Sequence, residues 1–463
     1  MIRIFKHYIP TSLLVLGLLE MGLIFASVEA AVHLRFLQAQ IDIGPIAERL
    51  PSLLAFTAVV FVVMLALGLY QVDTARDLRM TLLRLVSCLT ISALLLAVVF
   101  YAVPALAFWR SVVVLAILVV LVVIMTSRTA FAHVADMNRF KRQILVYGAG
   151  RQAKRLRDFH RSEKGKRFAI VGFIENETSE ALIDGALPQG RIRNLADFAR
   201  ERTADEIVVA LDERRGAFPV HDLLACKVKG LSVTDLASFF ERERGYVDLA
   251  TLQPSWLIFS DGFVGGKVYE KAAKRIFDVL VSLIVLMVCL PILIGTAIII
   301  KLTSKGPVLY RQERTGLHGR GFNLLKFRSM RVDAEKETGP QWASQNDPRV
   351  TPIGRFIRHA RIDEIPQIFN VLKGDMSFVG PRPERPYFVE QLSEQVPYYR
   401  ERHNVKPGIT GWAQLNFPYG ASMDDARRKL EYDLYYIKNY SLFLDFLILL
   451  QTARVVLFQD GVR

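Results

Sequence analysis

The chain has 463 residues, enough for several domains, and its 59 Lys and Arg against 45 Asp and Glu leave a formal net charge of +14. An apolar content of 52 % and a mean hydropathy of +0.27 are high for a water-soluble chain, so membrane segments are expected. The positive charge fits anionic lipid head groups or diphosphates. No recognisable nucleic-acid module accompanies it, so nucleic acid is not expected as a partner. Cys88, Cys226 and Cys289 lack metal-ligand spacing and read as packing thiols in a reducing compartment.

Four apolar runs come first, at about Pro10–Val32, Leu53–Tyr70, Leu82–Val103 and Phe108–Thr126. Each approaches the ~20 residues that a helix needs to cross a bilayer. Arg3, Lys6, Arg76, Arg79, Arg84, Arg128, Arg139, Lys141 and Arg142 flank them on one side; Arg35, Arg49 and Arg110 lie on the other. Basic residues collect on the cytoplasmic side, so both ends of this region are expected there. No small-residue cleavage site follows the first run, which therefore reads as an anchor. Glu20 lies inside that run, where an acid is either functional or faces the bundle or the interface.

From about Arg139 to Val268, strands and helices alternate, which predicts a small parallel α/β domain. QILVYGAG (Gln143–Gly150) reads as a strand ending in a glycine turn, and Arg151–His160 as a helix. Residues Gly148 to Ala153 have the GxGxxA form of the dinucleotide fingerprint, whose glycines let the backbone approach a phosphate at a helix N-terminus. The next strand, Phe168–Ile174, ends at Glu175, at the spacing where an acid can hold a ribose hydroxyl. Gly148, Gly150 and Glu175 are the candidate cofactor contacts, with a purely structural turn as the alternative. Further strands are predicted at Glu206–Leu211 and Gly230–Asp235.

Ile276–Ile300 is a fifth apolar run, preceded by Lys271, Lys274 and Arg275 and followed by Lys301 and Lys305. Pro291 removes one backbone donor and clashes with the carbonyl of Met287, so a kink is expected. The helix either spans the membrane or turns back to its starting face. A fifth crossing would carry all that follows to the side opposite the α/β domain. Basic residues at both ends agree with both ends lying at one interface.

Beyond Gly306 the pattern predicts a hairpin turning at Gly319–Gly321 and carrying Arg311, Arg314, Lys326 and Arg328. Arg331–Asn346 reads as loop and short helix. Thr351–Arg361 reads as a helix bringing Arg358 ahead of the acid pair Asp363-Glu364, with Pro366 placing that pair at a break or a helix start. Arg358, Arg361, Lys373 and Arg382 can balance two carboxylates that otherwise repel. Such a site suits Mg²⁺ and phosphate oxygens; the plain alternative is a solvated helix start before Ile365, Ile368, Phe369 and Leu372. Pro381-Arg382-Pro383 restricts the backbone around one guanidinium. Tyr387–Arg402 reads as an aromatic-rich amphipathic helix, and Leu430–Phe458 as interfacial helices.

KFRSM (Lys326–Met330), RIDEIPQIFNVLKGDMSFVGPRP (Arg361–Pro383) and KPGITGWAQLN (Lys406–Asn416) stand in this order. Together they resemble the catalytic domain of the bacterial polyprenyl-phosphate hexose-1-phosphate transferases, the monotopic phosphoglycosyl transferases, over roughly Tyr269–Phe458. The preceding chain resembles the larger members. The resemblance implies a membrane protein of α and α/β class: four N-terminal transmembrane helices in 1–138, a Rossmann-like parallel domain in 139–268, and an α-rich catalytic domain in 269–463 whose re-entrant helix 276–300 breaks at Pro291. It implies transfer of hexose-1-phosphate from a UDP-hexose to undecaprenyl phosphate with release of UMP, starting an exopolysaccharide or other surface glycan. Asp363 is then the nucleophile, Asp363 and Glu364 hold Mg²⁺, and Lys326, Arg328, Arg358 and Arg382 bind substrate phosphates. The place of action is the cytoplasmic face of the bacterial inner membrane, with membrane lipids as partners. Glucose or galactose is the first expectation for the sugar, and the larger members imply a homodimer through the α/β domain. For the basic hairpin, contact with anionic lipid stays as the alternative.

Two other classes of function fit the sequence less well. A membrane-anchored NAD-dependent nucleotide-sugar dehydratase or epimerase would use Tyr-x-x-x-Lys, and none of the 15 tyrosines has Lys four positions later. A non-catalytic assembly scaffold would need neither the acid pair nor the arginine turn.

Overall fold

The computed structural model describes residues 2–4, 6–39, 43–70, 78–135, 141–162, 168–176, 180–213, 218–252, 254–260, 262–263, 268–331, 349–417, 420 and 422–458. Arg76, Arg139 and all but the first residue of the Arg331–Asn346 segment lie outside these residues. The chain divides into two compact units: 1–4 with 8–252, and 5–7 with 253–463.

A two-stranded sheet of β1 (Ile2–Ile4) and β2 (His7–Ile9) opens the chain. Four helices follow in the first unit, each long and apolar enough to cross a membrane: α1 (Thr11–Ala39), α2 (Ile46–Ala66), α3 (Leu78–Ala102) and α4 (Arg110–Ala135). The apolar run ending at Tyr70 is not helical to its end. Leu67–Tyr70 forms a turn, because Gly68 takes a positive φ of 74° that stops α2. Ile24, Val28, Leu53, Phe56, Val60, Leu85, Val120 and Ile124 are among the buried residues that close the bundle. Glu20 is fully buried there and meets Arg128 at 2.9 Å, while Arg128 Nη1 donates to the Leu69 carbonyl at 2.7 Å. The intramembrane acid is therefore paired, as a charge in such a place must be.

The α/β part of this unit runs β3 (Arg142–Tyr147), α5 (Arg151–Arg161), β4 (Phe168–Glu175), β5 (Leu187–Pro188), α6 (Leu195–Glu201), β6 (Glu206–Val209), α7 (Val220–Val228), β7 (Ser232–Asp235) and α8 (Leu236–Arg244). All its strand pairs are parallel, in the order β5-β4-β3-β6-β7. Side chains alternate across β3. Ile144 and Val146 join Phe168, Phe239 and Phe240 on one face, whereas Leu145 and Tyr147 join Leu195, Ile207 and Val209 on the other. Burial on both faces explains why these strands read as continuous apolar runs.

The second unit begins with α9 (Pro254–Phe259) and α10 (Val268–Thr303). The chain is helical across Pro291, so no break interrupts α10; a proline deprives the ladder of one bond, to Met287, and the neighbouring bonds continue. Along α10, Lys274, Asp278, Ser282, Leu293, Thr296 and Ile300 are buried, at helical spacing, on both sides of Pro291. The antiparallel hairpin of β8 (Leu309–Thr315) and β9 (Gly321–Phe327) pairs Leu309 with Phe327 and Thr315 with Gly321. Then come α11 (Pro352–His359), α12 (Gln367–Lys373), β10 (Ser377–Val379), α13 (Pro386–Gln395), β11 (Gly408–Thr410), α14 (Trp412–Asn416), α15 (Met423–Lys438) and α16 (Leu442–Phe458). The helix expected over Tyr387–Arg402 is two pieces. Pro397 forces Val396 extended, Tyr398 takes a φ of 63°, and a 3-10 turn spans Tyr399–Asn404. His7 belongs to this unit: its Nδ1 lies 2.9 Å from Tyr435 Oη, and its ring meets Trp412 edge-on. Burial drives His7 down to about 4, so the ring is neutral at neutral pH.

Candidate active site

The acid pair is held by its apolar neighbours. Thr351 caps α11 through the Gly354 N–H (3.0 Å), and α11 ends where Arg361 takes a left-handed φ of 55°. Ile362–Glu364 then form one 3-10 turn. Residues three apart share a side of such a turn. Ile362 and Ile365 accordingly pack into the cluster of Leu293, Ile300, Phe327 and Ile357, leaving Asp363 and Glu364 to the other sides.

Glu364 Oε1 accepts from Arg382 Nη2 at 2.6 Å and Lys326 Nζ at 3.2 Å, and Arg361 stands 3.9 Å from Oε2. Asp363 is 8 % exposed and has no ion pair among the described residues. The two carboxyls are pushed apart in acidity. Burial raises Asp363, the Glu364 charge raises it further, and Lys326, Arg358 and Arg382 oppose this. Burial acts on Glu364 in the same sense, but the Arg382 and Lys326 charges outweigh it and hold Glu364 well below the usual range. Burial lowers Lys326, against the pull of Glu364. A proton shared by this site therefore rests on Asp363.

Arg382 is aimed by a clamped turn. With two prolines, the Pro381–Pro383 backbone lacks two donors, and its carbonyls carry the restraint. Pro381 O accepts from Gly408 N (2.9 Å), Arg382 O from Arg402 Nη2 (2.9 Å), Pro383 O from Arg314 Nη1 (3.1 Å) and Glu384 O from Thr315 N (2.9 Å). Arg402 is nearly buried and is itself fixed by Tyr399 Oη (2.6 Å) and Asp433 (2.8 Å). Burial drives Asp433 up to about 6, against the Arg402 charge. A side chain on Gly408 would strike the Gly380 amide at 2.1 Å, which accounts for glycine in the KPGITG stretch.

Behind β10 lies a polar hub that sequence reasoning missed. Lys274 Nζ meets Asp278 (3.0 Å) and Asp445 (2.8 Å); Asp278 accepts from Ser377 Oγ and the Phe378 N–H, both at 3.0 Å; Tyr436 Oη donates to Asp445 at 2.7 Å. A usable signal was present, since Lys274 and Asp278 stand four apart at the edge of an apolar run. Arg275 donates to the Val371 and Leu372 carbonyls at 2.5 and 2.6 Å and so caps α12. Of the four predicted phosphate ligands, Lys326 and Arg382 converge on Glu364. Arg358 lines the same cavity and acts on Asp363 by charge. Arg328 also lines it, and donates to the Ser304 and Lys305 carbonyls at the end of α10 (3.0 and 2.9 Å).

The cavity measures about 790 Å³. Asp363, Glu364 and the cations above line part of its wall, and Val285 and Cys289 of α10, Leu309 and Phe388 line another. No group of three or more His, Cys, Asp or Glu that could hold a metal exists among the described residues. The pair nonetheless fits Mg²⁺, which takes one or two carboxylates and completes its shell with phosphate and water oxygens. Gly148 and Gly150 form the turn between β3 and α5, and Glu175 ends β4 beside Pro188 of β5. They belong to the other unit.

The bacterial sugar transferase family matches residues 269–459, and a CoA-binding domain family matches 65–225. A UDP-N-acetylgalactosamine-undecaprenyl-phosphate N-acetylgalactosaminephosphotransferase of Aeromonas hydrophila is 50 % identical over 190 residues, 41 % of this chain and 45 % of the relative. An undecaprenyl-phosphate glucose phosphotransferase of Komagataeibacter xylinus is 34 % identical over 345 residues, 71 % of this chain and 62 % of the relative. A UDP-glucose:undecaprenyl-phosphate glucose-1-phosphate transferase of Klebsiella pneumoniae is 35 % identical over 318 residues, 68 % of this chain and 67 % of the relative. The chain thus spans 45 % and 62 % of the lengths of the first two relatives. Family match and relatives agree on the unit that holds the acid pair, and the chain belongs to the bacterial sugar transferases.

Proposed function

We propose that the chain transfers hexose-1-phosphate from a UDP-hexose to undecaprenyl phosphate and releases UMP. What carries this reading is the separation of acidity within Asp363-Glu364, in a cavity walled by cations on one part and by residues of an apolar helix on another. The relatives' names point to the same acceptor and to hexose donors. Asp363, once ionised, attacks the sugar-bearing β-phosphorus. A P–O bond to Asp363 forms, the bond from that phosphorus to the bridging oxygen breaks, and UMP leaves with the bridging oxygen. The acceptor phosphate oxygen then attacks the same phosphorus, releases the Asp363 carboxylate and yields a lipid diphosphate sugar. Asp363 and Glu364 would hold Mg²⁺, which when bound would neutralise charge on the diphosphate. Arg382 and Lys326, already oriented by Glu364, and Arg358 stabilise phosphoryl oxygens as charge develops. Chain segments 1–138, 139–268 and 269–463 serve as membrane, α/β and catalytic parts, with the acid pair on the cytoplasmic face of the inner membrane, where nucleotide sugars are.

The test is UMP release from a panel of UDP-hexoses, with trapping of a sugar-phosphate adduct on Asp363. Wild type should form the adduct without acceptor, Asp363→Asn should form none and turn over at less than about one-thousandth of the rate, and chelation should abolish activity until Mg²⁺ is returned. Near-normal turnover by Asp363→Asn, or full activity in excess chelator, sinks the mechanism.

A further inference from the structure

The glycine turn of the α/β domain sits where an open parallel sheet receives ligands. The chain runs outward from β3 through β4 to β5, then returns to β6 and β7, so the turn after β3 lies at the switch point of the sheet. In this architecture the first N–H groups of the following helix hold a diphosphate. Here the first two of those groups are taken. The Arg151 N–H donates to Asp212 Oδ2 at 2.9 Å and the Gln152 N–H to Asp212 Oδ1 at 2.8 Å, while the Arg151 guanidinium stands 3.9 Å away. Asp212 follows directly on the β6 side of the switch point. One carboxylate thus spans two helix-start donors, the geometry that a phosphate would use.

The glycines serve this arrangement. A Cβ on Gly150 would lie 2.3 Å from Asp212 Oδ2, and one on Gly148, whose φ is 130°, would lie 2.3 Å from the Ala210 carbonyl. The chain segment carrying Asp212 therefore lies against the turn as a dinucleotide would. Within the turn, the Gly148 N–H donates to the Ile174 carbonyl at 2.9 Å, and Ala149 O accepts from the Leu182 N–H at 2.8 Å. A nucleotide or CoA diphosphate brought to this turn would find the Arg151 and Gln152 donors occupied and would face a carboxylate at contact distance. The residues present do not fit such a group.

We propose that Asp212 stands in for the phosphate, so that the α/β domain keeps the dinucleotide-binding architecture but is closed by its own carboxylate. Gly148 and Gly150 then serve closure, and Glu175 has no ribose to hold.

Hydrogen exchange on the full-length protein in detergent tests this, because it reads the 148–156 segment apart from any diphosphate bound elsewhere. In wild type, millimolar NADH, CoA or pyrophosphate should leave exchange in that segment unchanged. In Asp212→Ala the Arg151 and Gln152 amides should exchange roughly five- to tenfold faster, the effect of losing a helix cap, and pyrophosphate should slow them again. Asp212→Asn, which keeps the shape, should fall between and guards against misfolding of the alanine variant. Ligand protection of the segment in wild type, unchanged amides in Asp212→Ala, or fast amides that pyrophosphate does not slow would each overturn the proposal.

Discussion

Asp363 and Glu364 are adjacent yet unlike, and the difference comes from which of them the cations touch. Arg382 and Lys326 contact Glu364, whereas Asp363 is buried beside that retained charge. In its proposed role as nucleophile, Asp363 reacts only when ionised, above its raised pKa. The acid limb of kcat/KM, which reports the free enzyme, should therefore fall at a pH above the ordinary Asp value. Glu364→Gln removes the like charge and should move the residual limb to lower pH. Arg358→Gln removes a cation that favours ionised Asp363 and should move it to higher pH. Shifts of the same sign in both variants would refute the charge argument. The acid pair, Arg358 and Arg382 were legible in the sequence because they lie within 25 residues and share one recognisable wording. The clamp on Arg382 was not, because its donors, Gly408, Arg402, Arg314 and Thr315, come from three separate stretches and bind backbone carbonyls, which leave no mark on residue type.

Elements were legible wherever a period of two or a helical period dominated, and misplaced where one residue overrides the period. Strands β3, β4, β6 and β7 sit close to their predicted positions, whereas the two-residue β5 was not predicted, Gly68 shortens α2 and Pro397 divides the predicted Tyr387–Arg402 helix. The hub behind β10 was hidden for another reason. In the sequence Asp445 interrupts an apolar stretch; in the fold it is the partner of Lys274, 171 positions earlier. A buried charge that loses its partner costs about 3 kcal/mol or more. Asp445→Ala should lower the thermal midpoint by roughly 5–10 °C. It should also slow adduct formation, because β10 leads directly into the Arg382 turn. A midpoint within ~1 °C of wild type would show that Asp278 alone satisfies Lys274.

At the scale of the molecule, the side on which α10 leaves the membrane decides whether the acid pair can meet a cytoplasmic sugar donor. The helix would be about 54 Å long if straight, more than the ~30 Å hydrocarbon core requires. Composition alone would send it across. Its contacts point the other way. Before Pro291, Lys274, Arg275 and Asp278 bind Asp445, α12 and β10; after Pro291, Leu293 and Ile300 pack on Phe327 and Ile357, and Arg328 holds Ser304. A polar, cation-lined unit tied to both halves fits both halves lying on one side of the bilayer, the side proposed above for the acid pair. The remaining faces, with Met287 at 72 % and Val288 at 66 % exposure, are apolar and fit lipid. Because α10 is helical through Pro291, docking rather than a chain break would hold it there. Single cysteines at Tyr269 and Leu302, in a background without Cys88, Cys226 and Cys289, should both resist an impermeant thiol reagent in intact cells and react once the cells are opened. Pro291→Ala should leave this protection unchanged. Labelling of the Leu302 position from outside in the unmutated helix would establish a fifth crossing and remove the acid pair from its donor; labelling only in Pro291→Ala would mean that the proline, rather than docking, sets the path of the helix.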